Sequence, residues 1–331
     1  MTTTLDPVEI LSRDLKRAAA TLTPDEARYL VDYYYMQQEN RKRSNSQVRT
    51  LAEGAEPSEI IRWLAANDTT FEHQIARALD GYSDGHEVGV WAKSITGIGP
   101  IISAGLLANI DIEKAPTVGH IWRFAGLDPT SQWLGKEKAR ELVSAVFGSR
   151  RGLPLEEAIQ QVFEHTGRSH YNSFRRLCTT SKGAITRESL IGAVAKRPWS
   201  ARLKTLCWKI GESFVKVQNH DEDVYGHLML EYKAEITVKN EQGLYADAAK
   251  AKLAKFKIGK DTEAYGHYSA GHLPPAHIHA RAKRWAVKLF LAHWQTVAYE
   301  VHYGKAPPLP YVFSRLGHQG YIGPPNWPRH E

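Results

Sequence analysis

Cysteine is almost missing from this chain: Cys178 and Cys207 are the two among 331 residues. One such pair makes neither a disulfide framework nor a zinc-finger spacing, so a reducing cytoplasm is expected. No uninterrupted apolar run is long enough to cross a bilayer, and the opening Met-Thr-Thr-Thr-Leu-Asp-Pro lacks a basic-then-apolar leader pattern. A membrane is therefore not an expected partner. Alternating strand patterns and internal repeats are also lacking, which leaves a mainly α fold. The carboxylates of Asp221-Glu222-Asp223, Asp261 and Glu263 have no spacing that implies a two-metal site, and no cofactor is expected.

What the chain does have is an ordinary apolar content of 42% and a formal net charge of +7. Cores can form, and a polyanion is the favoured partner. Residues 1–90 read as a helical N-terminal region. Thr23-Pro24-Asp25-Glu26 is a helix start with a cap, a first-turn proline and a glutamate three residues on. Helices are predicted over 58–66 and 71–79, and Tyr33-Tyr34-Tyr35 reads as core rather than as a stacking platform. Residues 91–136 hold a turn between helices. Residues 137–197 form a small basic helical block containing Arg150-Arg151, Arg168, Arg175-Arg176, Lys182, Arg187 and Lys196-Arg197, plausible phosphate contacts or a solvated surface. Residues 198–305 carry long C-terminal helices over 199–217, 225–236 and from Pro274-Pro275 onward. A proline-rich tail, 306–331, is expected to be extended.

The turn carries the most chemistry. Ile95-Thr-Gly-Ile-Gly-Pro100 leads into a helix with Ile101, Ala104, Gly105 and Ala108 at close-packing spacing. Glycine allows unusual backbone angles and close approach, and Pro100 suits a first helical position. The free N–H groups of such a helix start form an anion site. This is the pattern of a helix-hairpin-helix, which grips a nucleic-acid backbone without reading bases. The turn lacks the Gly-Lys-Ser/Thr ending of a P-loop.

Four segments then occur in a telling order: Ile95–Pro100, Ala125-Gly-Leu-Asp-Pro129, Trp199-Ser-Ala-Arg-Leu-Lys204 and His279-Ala-Arg-Ala-Lys-Arg284. Together they resemble the C-terminal domain of insertion-sequence transposases related to the Piv/MooV DNA invertases, some of which are guided by a bridge RNA. The likeness covers about residues 70–136 and 198–300, with 137–197 as an insertion. It implies a prokaryotic cell or a phage-infected host. Two departures matter. The family's RuvC-like N-terminal domain needs carboxylates on strands, and residues 1–90 read as helices. The family's nucleophilic serine precedes a glycine, and the matching pair here is Leu134-Gly135; leucine is no nucleophile. Ser131 is the weak substitute.

These features lead to a nucleic-acid-binding protein, with DNA first and structured RNA second, that lacks the family's chemistry. Gly97, Ile98 and Gly99 supply main-chain contacts, and Lys93, Lys136, Arg202, Lys204, Arg281 and Arg284 add charge. Two alternatives are an active recombinase using Ser131 or a partner's nuclease domain, and a protein-interaction scaffold of a mobile element or phage. Self-association is compatible with each. His267, His272, His277 and His279 are the weak metal candidates, because their spacing matches no zinc signature.

Overall fold

The computed structural model describes residues 17–54, 56–149, 154–166, 168, 170–308 and 320–327. Arg150-Arg151 therefore lie outside the described residues. In chain order the helices are α1 (Pro24–Ala52), α2 (Glu59–Asp84), α3 (Glu87–Lys93), α4 (Pro100–Asn109), α5 (Val118–Phe124), α6 (Gly135–Ser149), α7 (Leu155–Glu164), α8 (Tyr171–Cys178), α9 (Arg187–Ala195), α10 (Ala201–Val217), α11 (Tyr225–Glu241), α12 (Ala246–Lys255), α13 (Glu263–Ser269) and α14 (Pro275–Tyr303). A short 3-10 turn occupies Ile112–Lys114. Among the described residues there is no β-strand, and the fold is mainly α. No helix among them is long and apolar enough to cross a membrane. The chain divides into two compact units, one of residues 1–118 with 206–331, the other of 119–205.

In the first unit, α1 starts at a complete capping box. The Thr23 hydroxyl accepts from the Glu26 N–H, and the Glu26 carboxylate accepts from the Thr23 N–H at 2.7 Å. Helix α2 runs unbroken where two helices are predicted from the sequence. Its polar middle stays helical with most of its polar side chains bonded, although the buried Asn67 amide nitrogen has no partner. Thr69 and Thr70 donate to the carbonyls of Ala65 and Ala66, and Asp68 accepts from Ser44 of α1. Ala27 and Val31 of α1, Ile75, Leu79 and Tyr82 of α2, and Ala104 and Ala108 of α4 form one core. Tyr33, Tyr34 and Tyr35 pack against it, in keeping with the core reading.

A second, aromatic core joins α3 to the C-terminal helices. Trp91 stacks on Phe290, Phe214 stacks on Tyr225 with centroids 4.9 Å apart, and Phe290 meets both Phe214 and Tyr225 edge-on. Such ring pairs add to the gain from burying the rings themselves. The described part of the tail, 320–327, has no regular structure, yet it is not loose. Trp91 donates to the Pro325 carbonyl at 2.8 Å, Asn326 donates to the Ser94 carbonyl at 3.0 Å, and Trp327 donates to Glu300 at 2.7 Å.

The second unit has its own core of Ala139, Val143, Ile159, Val162, Phe174, Cys178, Leu190 and Val194, drawn from α6 to α9. The basic block at 137–197 lies within this unit. Helices α6 and α8 were not separately predicted; their apolar positions are few and are interrupted by charge.

Candidate nucleic-acid interface

The turn between α3 and α4 is a tight hairpin with two different sides. Ile95 and Ile98 are buried, and the Ile98 N–H bonds to the Ile95 carbonyl at 2.9 Å. Gly97 takes φ +92°, a conformation other residues rarely adopt, and a Cβ there would lie 3.0 Å from Val217 of α10. Its carbonyl accepts from the Ser213 hydroxyl at 2.5 Å. Gly97 thus faces protein, and it fastens the hairpin to α10.

Gly99 differs. It is exposed, has φ −90° and ψ 177°, and nothing lies within 4 Å of the Cβ position. Pro100 follows at the first helical position, so the N–H groups of Ile101 and Ile102 have no intrahelical acceptor. The open side of the hairpin is therefore at Gly99, next to the start of α4. Deeper in the pair, Ser103 of α4 donates to the Gly89 carbonyl of α3 at 3.1 Å, and Leu206 packs on Gly105. Arg28 of α1 donates to the Ala108 carbonyl near the end of α4.

The charged candidates fare unequally. Lys93 is only 19% exposed and its ammonium sits between Asp80 and Asp84, at 2.5 and 2.6 Å. Burial opposes its charge, but the two aspartates together hold its pKa above the ordinary lysine value. Its bonds anchor α3 to α2. Arg284 is exposed, whereas Arg281 is half-buried with its guanidinium 4.7 Å from the Tyr245 ring centre. Lys136, Arg202 and Lys204 are exposed in the second unit, and the Lys204 ammonium lies 4.2 Å over the Trp199 ring.

Within that unit, two of the informative sequence segments meet. Gly126 has φ +67°, and a Cβ there would lie 2.8 Å from Trp199. The Ser200 N–H donates to the Phe124 carbonyl at 2.8 Å, and the Ser200 hydroxyl caps α10 by accepting from Leu203. The glycine of Ala-Gly-Leu-Asp-Pro is needed because an indole covers it. Leu134 packs against the core of this unit, so the position matched to the family's serine has a packing role. The Ser131 Oγ is buried and has no hydrogen-bond partner.

Residues 91–145 match the model of the transposase IS116/IS110/IS902 family. This segment is similar to part of a transposase, over about one sixth of the chain. The match contains the hairpin and Ala125–Pro129, and it ends within α6. Comparison with curated proteins and with solved structures gives no significant match.

The basic block lies in a unit whose charge differs sharply from the rest of the chain. Residues 119–205 contain fifteen Lys and Arg against seven Asp and Glu, a net +8. The rest of the chain holds 28 against 29, so its net charge is −1. Not all of the second unit's basic groups are available. Arg168 donates to the carbonyls of Ala193 and Lys196 at the end of α9, and Arg175 pairs with Glu156. Arg140, Arg176, Lys182 and Lys196 are exposed.

The four histidines do not form a metal centre: among the described residues no three His, Cys, Asp or Glu side chains are placed to hold an ion. His272 bonds to the Asn240 carbonyl, His277 bonds to the Tyr268 hydroxyl, and His267 lies 3.5 Å from Glu263. Burial lowers the pKa of His279, helped by Lys233 and Lys283.

Proposed function

We propose that this protein is related to transposases, binds the DNA backbone and carries no strand-transfer chemistry of its own. The observation behind this reading is the open main chain at Gly99, next to the start of α4, inside the segment matched to the transposase family. A helix start of this kind accepts a phosphate through its N–H groups. The +8 of residues 119–205 supplies long-range attraction, and Lys136, Arg202 and Lys204 add contacts there. Lys93 serves to hold the hairpin. The absence of a serine at Leu134 and the burial of the Ser131 hydroxyl argue against a serine nucleophile.

The test is a fluorescence-anisotropy titration of labelled duplex DNA at several salt concentrations, with the intact chain and with Gly99→Asp. Position 99 tolerates any side chain conformationally, so the variant should fold. Its carboxylate would occupy the phosphate position and should weaken binding about tenfold or more. Affinity should also fall steeply as salt rises. Binding that ignores salt sinks the backbone reading, and an unchanged Gly99→Asp affinity removes the hairpin from it. Ser131→Ala should leave any strand cleavage unchanged.

A further inference from the structure

We propose that a surface built from α12 and the loop after it binds a single-stranded stretch of nucleic acid, with Phe256 as the platform for a base. The inference rests on the nucleic-acid reading above and adds a second contact region with a different preference. Five lysines, Lys250, Lys252, Lys255, Lys257 and Lys260, occur in eleven residues, with no acid between Asp247 and Asp261. All but Lys252 are exposed. Phe256, in their midst, is 49% exposed and is flanked by ammonium groups: Lys252 lies 4.1 Å and Lys255 5.9 Å from its ring centre.

A single exposed apolar side chain is common, but this ring is distinguished by the two ammonium groups beside it. A solvated lysine face needs no aromatic ring. An aromatic ring ringed by cations is what a single strand requires, because phosphates take the cations while an unpaired base stacks on the ring. Helix α14 carries His277, whose pKa is lowered in part by Lys252, Arg284 and Arg281. This region is also fixed in place. Asn240, at the end of α11, donates to the Leu273 carbonyl at 3.1 Å and accepts from the Leu273 N–H at 2.8 Å, which locks the approach to α14. Duplex DNA offers no free base face to Phe256, so the surface should distinguish single strands from duplex.

His277 provides an internal reporter. Its pKa is lowered by burial first, then by Lys252, Arg284 and Arg281, while its Nδ1 lies 3.0 Å from the Tyr268 hydroxyl. A bound strand would neutralise those three cations and raise the His277 pKa.

The experiment titrates a labelled oligo-dT and a duplex of equal length into the intact chain, Phe256→Ala and Phe256→Leu. The expected result is a loss of about tenfold for the single strand in both variants, with duplex affinity unchanged within about twofold. Leucine keeps the apolar bulk without the ring face, so its failure to rescue identifies stacking. The imidazole signal of His277 should titrate at higher pH when oligo-dT is bound. Equal losses for both DNAs, or no loss for either, overturn the inference while leaving the hairpin reading intact. A chain that binds neither DNA overturns both.

Discussion

Acidification should destabilise the first unit through one buried imidazole, His293 of α14. Its ring lies between the Tyr225 hydroxyl, 2.6 Å from Nδ1, and the Ile322 carbonyl, 2.8 Å from Nε2. The carbonyl can only accept, so Nε2 carries the proton and Nδ1 accepts from tyrosine. A second proton would turn Nδ1 toward a donor inside an aromatic core. Burial accordingly pushes the His293 pKa from 6.5 down to about 4. The unfolded chain takes up this proton first, so stability rises with pH between about 4 and 6.5 and is lost as pH falls through that window. At about 1.4 kcal/mol for each pH unit, the loss amounts to about 3 kcal/mol and levels off below pH 4. Urea unfolding of the intact chain and of His293→Gln at pH 7, 6, 5 and 4 isolates it, because other titrating groups contribute equally to both. The glutamine amide can still donate to Ile322 and accept from Tyr225 without titrating. The difference between the two proteins should shrink or reverse by about 3 kcal/mol on acidification. Parallel pH profiles would refute the reasoning.

Two further predictions concern the frame around the interface. Glu72 is 5% exposed on α2, where burial works against its charge, yet bonds from Arg41 and Tyr34 keep its pKa below the ordinary value. Arg41→Met should cost about 3 kcal/mol in urea unfolding, with most of it recovered by adding Glu72→Gln; a loss below about 1 kcal/mol would make the pair an ordinary surface bridge. Gly126→Ala should cost at least about 1–2 kcal/mol from its left-handed backbone alone, before any displacement of Trp199. Thermal unfolding at an unchanged midpoint would contradict the packing of that indole on the glycine.

Much of the helical framework was legible because its signals are local. The Thr23–Glu26 box, Pro100 and the proline pair before α14 act within one turn of the residues they control. The glycine turn at 97 and the stop at 126 were legible for the same reason. Reading failed where a local polar stretch was stabilised from outside: Asn67–Thr70 looked like a break, and Ser44 of another helix helped keep it helical. Helix α12 is mostly alanine and lysine and gives little apolar periodicity, and α13 has only seven residues in which a period could show. The lysine run Lys250–Lys260 with Phe256 inside it is legible from the sequence, but the closeness of ring and ammonium groups is not.

By itself, the sequence determined that the chain is mainly helical and where its hairpin turns. These follow from residue types and short spacings. Tertiary structure decided which groups remain for a partner. It turned Gly97 inward and left Gly99 open, joined Lys93 to two aspartates, and buried the Ser131 hydroxyl. It also placed the Lys252 ammonium over the Phe256 ring and tied Arg168 to the end of α9. The physical reason is range: caps and turns are settled by neighbours in sequence, whereas exposure and ion pairing depend on residues that folding brings together from far along the chain.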